Sequence, residues 1–191
     1  MPDHERTKEE FLAIVRAEQD RLDAAQRIGQ PKSVAEVAVY SDFHGADYHY
    51  LHNSIAWVPE AKHSTTLETV RLPIGFVTDF ASVPRPFWAI LPPTGLYTQA
   101  AIIHDYMYWI QDERGWSRSD ADSVLSFCMS DMDVGTFAHN TIILAVKSLG
   151  RRAWSNNKRA KDNGEKRILK NFPTNPMTTW AEWKQDNGNF Q

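Results

Sequence analysis

The stretch that most restricts what this chain can fold into is residues 98–111. There Ile102, Ile103, Tyr106, Met107, Trp109 and Ile110 surround an adjacent His104 and Asp105. On a helix turning about 100° per residue, those apolar side chains cover most of the circumference, so the helix must be wrapped by protein on nearly every side. With His104 set at zero, Tyr108 falls at about 40° and Asp105 at about 100°, which leaves the polar groups one shared sector. A buried ionisable group is costly unless a partner from elsewhere in the fold meets it. The fold must therefore bring a second polar group onto that sector.

The remainder of the chain supplies the wrapping in two kinds of segment. Residues 34–80 hold β-rich runs marked by Val34, Val37, Val39, Tyr40, Tyr48, Tyr50, Ile55, Trp57, Val58, Val70 and Leu72, with turns at 42–47, 59–64 and 73–75. Residues 98–150 read as three helices, 98–111, 118–132 and 136–149. Strands followed by helices, without βαβ alternation, predict an α+β fold: a small antiparallel sheet followed by a packed bundle of about three helices. Residues 7–28 carry Phe11, Ile14, Val15, Leu22 and Ala25 at helical spacing, so 1–30 is expected to be an extra N-terminal amphipathic helix. The single core domain is then 34–154, followed over 155–191 by a basic tail bearing Trp180 and Trp183 that either docks on the domain or engages a partner.

Several classes are disfavoured by composition. At 191 residues and 42% apolar content the chain can build a core without staples, and its one cysteine, Cys128, excludes an intramolecular disulfide and a multi-cysteine zinc cage. The charged N-terminus has no secretory apolar run, and no stretch is as long as a membrane span, which points to a cytoplasmic location. A net charge of −3 argues against general nucleic-acid binding, although 147–170 holds nine basic residues against Asp162 and Glu165. That local excess suits phosphate, anionic lipid or an acidic partner, or is a solvated surface.

The partner for His104 is sought on the second helix. Ser117 is placed to cap it, and Asp120 at N3 completes the reciprocal pair. Ala121, Val124, Leu125, Cys128, Met129 and Met132 form its apolar stripe, and Asp122 lies at the margin of that stripe, about 20° from Met129. The link 112–117 is short enough to make the two helices antiparallel neighbours, so a His104–Asp122 hydrogen bond is geometrically reasonable. Such a bond would fix the imidazole and let His104 act as a general base on water. Asp105 is then placed to hold a hard cation such as Ca²⁺, which would bind the oxyanion of an ester carbonyl. The alternative is a satisfied polar knot of His104, Asp105 and Asp122 that ties two helices. A second constellation lies in 72–85, where Asp79, Ser82 and Arg85 form either a loop clasp with an Asp79–Arg85 ion pair or, through Asp79, an addition to the His104 site. His44, His49, His52 and His63 lack metal-like spacing to acids and receive no role.

Taken together, the blocks 73–85, 100–108, Ala121-Asp122 and Ala145-Val146 with Gly150 and Trp154 resemble an uncharacterised family common in tailed phages and prophages (domain of unknown function 1353). The resemblance covers residues 65–154 and implies a viral or prophage source. More locally, His104-Asp105, Tyr108 and Ala121-Asp122 are similar to the two-helix core of phospholipase A(2). That similarity implies that His104 is the base, Asp105 binds calcium, and Tyr108 and Asp122 orient the histidine, with 92–97 standing where that family has a Gly-rich calcium loop.

Three functions follow as expectations. The first is a phage-associated hydrolase of lipid esters, calcium-assisted, used in lysis or envelope penetration and acting on phospholipid or a membrane surface. The second is a non-catalytic virion or assembly protein of the head-tail or tail, whose partners are other virion proteins. The third is a metal-dependent hydrolase of cell-wall material. All three place the chain in the host cytoplasm during assembly, with packaging in the virion open.

Overall fold

The computed structural model describes residues 34–35, 38–45, 48–60, 67–80 and 97–191. The helix expected over 1–30, Ser82, Arg85 and the segment 92–96 lie outside the described residues.

Six short strands come first: β1 Val34–Ala35, β2 Tyr40–Asp42, β3 His49–Leu51, β4 Ile55–Val58, β5 Val70–Leu72 and β6 Val77–Thr78. All pairings are antiparallel, but the strands divide into two three-stranded sheets, β1-β4-β5 and β2-β3-β6, where the sequence predicts one. The division occurs between β3 and β4. There the His52 N–H donates to the Val39 carbonyl and the Asn53 carboxamide oxygen accepts from the Val39 N–H, turning the chain out of one sheet before it enters the other. Within β5 the two-residue alternation is plain: Val70 and Leu72 are buried and Arg71 is exposed, because one face packs on the core. Trp57 pairs with Val70 and Ile55 with Leu72, so the buried side chains of β4 and β5 form one apolar surface.

That surface packs on α1, Thr98–Ile110, where every residue but Gln99 is buried. The helix stops at Gln111, whose φ of +41° leaves helical space, and a 3₁₀ turn over Gln111–Glu113 leads to Gly115 at φ +68°. Helix α2, Arg118–Asp131, opens on the expected box: the Ser117 hydroxyl accepts from the Asp120 N–H, and the Asp120 carboxylate accepts from the Ser117 N–H.

Helix α3 corrects the predicted boundary, for it runs over Thr136–Asp162 instead of ending at 149. Residues 150–162 contain no proline and are rich in Arg, Lys and Ala, so nothing stops the helix before Asn163-Gly164. There Gly164, at φ +87°, donates its N–H to the Lys161 carbonyl and closes the end. No helix among the described residues is long and apolar enough to cross a membrane.

Beyond α3 the chain returns across the β2-β3-β6 sheet as a strap that includes α4, Trp180–Trp183. Leu169, Trp180 and Phe190 join Phe43, Tyr50 and Val77 in a second apolar cluster, so of the two expectations for the tail, docking is what the structure displays. The turn between β5 and β6 anchors the strap: Gly75 accepts from the Leu169 N–H at 2.9 Å while its own N–H donates to the Leu51 carbonyl. Gly75 has φ +82°, and a Cβ there would stand 2.5 Å from the Leu169 carbonyl oxygen. Gly75→Ala is therefore expected to lower unfolding stability by roughly 2 kcal/mol or more, read as a fall in urea midpoint. An unchanged midpoint would mean that the strap does not press on this turn.

Candidate functional site

Three side chains singled out from sequence meet between α1 and α2. His104 Nε2 lies 3.1 Å from Asp122 Oδ1, and the Tyr108 hydroxyl donates to the same oxygen at 2.6 Å. The other oxygen, Oδ2, accepts from the Arg118 guanidinium at 2.6 Å. His104 and Tyr108 are one turn apart on α1, with ring centroids 4.1 Å apart, and Arg118 and Asp122 are one turn apart on α2, so each helix presents two adjacent groups to the other. The His104 ring is 3% exposed and the Asp122 side chain 16%, which puts the cluster at the edge of the core with the imidazole on the inner side.

Charge states follow from these contacts. Burial works against ionising Asp122, but the hydrogen bonds from His104 and Tyr108, with the Arg118 charge, outweigh it and leave the carboxyl below its usual value. Burial pulls His104 below the ordinary imidazole value, and the bond to Asp122 restores only part of that. Burial first, then the bond to Asp122, raises the Tyr108 phenol far above its usual value, so it remains a donor. With an ionised Asp122 facing a neutral imidazole, the proton is assigned to Nε2 and the lone pair to Nδ1.

Asp105 stands one residue along α1 and is held differently. Its Oδ2 accepts from the Thr78 hydroxyl of β6 at 2.6 Å, and Thr78 Oγ1 accepts in turn from the Phe80 N–H. Phe80 has φ +50°, a conformation unusual for a residue with a side chain, and its ring stacks on His49. Burial works against the charge of Arg167, and the carboxylates of Asp79 and then Glu165 outweigh it and hold the guanidinium above its usual value. Ser82 and Arg85, the expected partner of Asp79, lie outside the described residues.

Several contributors escape sequence reasoning. Arg118 had a signal in its four-residue spacing to Asp122. Thr78 had none, because its contact with Asp105 crosses from a strand to a helix. Gly150 and Trp154, on α3, close the cluster from outside: Trp154 meets the Tyr108 ring edge-on at 5.0 Å, and a Cβ on Gly150 would stand 2.6 Å from the Tyr108 hydroxyl. Gln111 Nε2 donates to the carbonyls of Tyr108 and Trp154, tying the end of α1 to α3.

Residues 57–146 match a family model described as a protein of unknown function (DUF1353). That stretch includes His104, Asp105, Tyr108 and Asp122 and stops short of Gly150 and Trp154. Neither a curated protein nor a solved structure matches the chain.

Two outcomes test this geometry. Gly150→Ala places a methyl against a hydroxyl already held by Asp122, and is expected to lower stability by about 1–3 kcal/mol, although alanine is the better helix former. A rise in melting temperature would show that α3 does not press on Tyr108. Because the imidazole binds its proton less readily folded than unfolded, its contribution is complete above about pH 6.5 and is lost as pH falls below that value. Stability measured by urea titration should therefore fall from about pH 7 towards pH 5, with a shallower slope in His104→Gln. Equal slopes in the two proteins would contradict the depressed imidazole.

Proposed function

We propose that this protein is a phage- or prophage-associated hydrolase of lipid esters, with His104 as its general base. One observation carries the reading: Asp122 engages Nε2 and is itself fixed by Tyr108 and Arg118, which turns the lone pair of the imidazole to Nδ1. In the reaction, Nδ1 takes a proton from water as the water oxygen bonds to the ester carbonyl carbon. The tetrahedral intermediate then expels the alcohol, which leaves with the proton returned from His104. Asp122 stabilises the transient imidazolium, and Tyr108 and Arg118 keep Asp122 from turning away. The lipid class and the viral setting are supported by the resemblance of His104-Asp105, Tyr108 and Asp122 to the phospholipase A(2) helix pair and of the longer blocks to a phage family.

A calcium ion at Asp105 would need further oxygen ligands. It takes six to eight oxygens, whereas Asp105 has one oxygen bonded to Thr78 and the described residues hold no group of three or more His, Cys, Asp or Glu disposed for a metal. The segment 92–96, expected to lend carbonyls to such a site, lies outside the described residues, and no step above runs through the ion.

A second reading has its own support. His104 is nearly sealed, and the Asp122 cluster joins α1 to α2 under the cover of α3, as a structural knot in a non-catalytic virion or assembly protein would. One experiment separates the two. Fluorescent phospholipid vesicles are incubated with wild type and His104→Ala, with calcium or with chelator, and the melting temperature of each protein is recorded. The hydrolase reading expects fatty-acid release that falls about 10²–10⁴-fold in the variant, with an acid limb of kcat/KM below about pH 6.5. No release by wild type, or equal release by the variant, removes it. The knot reading expects His104→Ala to melt several degrees lower, with particle assembly as the affected phenotype, and fails if stability and assembly are unchanged.

A further inference from the structure

The basic segment that the sequence singles out at 147–170 is not used by the His104 cluster. Its C-terminal half faces a solvent-open cavity of about 540 Å³, between the last turns of α3 and the strap. Three cations from three separate segments line it: Arg159 from α3, Lys166 from the turn after it, and Lys184 from the end of α4. One carboxylate, Glu165, shares the lining, with Oε1 at 2.9 Å from the buried Arg167 and Oε2 at 3.8 Å from Lys184, and Lys166 Nζ donates to the Gln191 carbonyl at 3.3 Å. The Arg159 guanidinium bonds the Asn156 carboxamide and makes no ion pair among the described residues. Arg159 sits in the last turn of α3, whose end carbonyls at Arg159, Ala160 and Lys161 accept from Asn163, Glu165 and Gly164.

Three cations line the cavity against one carboxylate that is shared between Arg167 and Lys184, so the net charge facing it is positive and favours an anion. The arrangement is pre-formed, because Phe190, a lining residue, is buried in the second apolar cluster and fixes the strap against the sheet. The volume falls in the range of small-molecule sites, and Asn163 and Asn187 add carboxamides that can hydrogen-bond polar groups beside an anion. We infer that this cavity is a binding site for a phosphate group on a small polar molecule or lipid headgroup, with Arg159, Lys166 and Lys184 as its cationic clamp.

The inference is independent of the hydrolase reading, and its test leaves His104 untouched. The full chain is titrated calorimetrically with inorganic phosphate and with glycerol 3-phosphate, and is co-sedimented with vesicles of phosphatidylglycerol or phosphatidylcholine. Arg159→Gln/Lys184→Gln is compared with Arg151→Gln/Arg152→Gln, which makes the same change of charge at exposed positions outside the cavity. The expected result is binding by wild type that weakens at least about tenfold in the first pair and is retained in the second. Binding of the soluble phosphates identifies a free ligand, and binding confined to phosphatidylglycerol vesicles identifies a headgroup. Absence of binding in both arms, or equal weakening by both pairs, overturns the site.

Discussion

A carboxylate withdrawn from water is tolerable only when donors surround it, and Asp122 is where this fold meets that demand. His104 and Tyr108 come from one helix and Arg118 from the other, so sliding or rotating the two helices would strip donors from a half-buried carboxylate. The requirement extends to α3. Tyr108 reaches Asp122 only because α3 passes with a glycine at 150, and the helix accepts the poor helix former there for the sake of the hydroxyl beneath it. Trp154 and Gln111 then fix α3 to the end of α1.

The strands contribute to the same sector from the other side. Thr78 holds Asp105, so the two acids beside His104 are held from different parts of the fold, Asp122 within the helix pair and Asp105 by the β2-β3-β6 sheet. That sheet also carries the strap: Gly75 bonds Leu169, and Val77, one position before Thr78, packs on the apolar cluster that buries Trp180 and Phe190. Strand β6 therefore touches the histidine region with one side chain and the returning C-terminal chain with the next. Between the two regions the Arg167 guanidinium lies 4.8 Å over the Trp109 ring of α1, and Lys161 donates to the Trp109 carbonyl and pairs with Glu113. A good part of the basic segment is thus engaged with the core, and the cations at the strap junction are those left facing the cavity.

Chemically, the cluster is suited to a base because its acid is held harder than its histidine. Asp122 is lowered by three donors, while burial lowers His104 despite its bond to Asp122, so the pair rests as carboxylate and neutral imidazole. That state is the one from which a proton can be accepted. It is also the lowest-cost state for a sealed polar contact, which is why the same geometry serves either an enzyme or a knot.

Much of this was legible without coordinates because it depends on spacing along single helices. The apolar run around His104 required a buried α1, the Ser117–Asp120 box set the start of α2, and the short link 112–117 made the helices antiparallel, which brought residues 104, 108 and 122 within reach. The absence of a breaker before Asn163-Gly164 carries α3 to Asp162, past the end at 149 that the apolar pattern predicts. What only the tertiary structure decided are contacts between segments far apart in sequence: the division of six strands into two sheets, Thr78 on Asp105, Gly150 on Tyr108, and Lys184 beside Arg159. Periodicity specifies which face of an element is buried, since that follows from 3.6 or two residues per repeat. It does not specify what is buried against it, because that is chosen by packing and hydrogen-bond satisfaction across the whole chain.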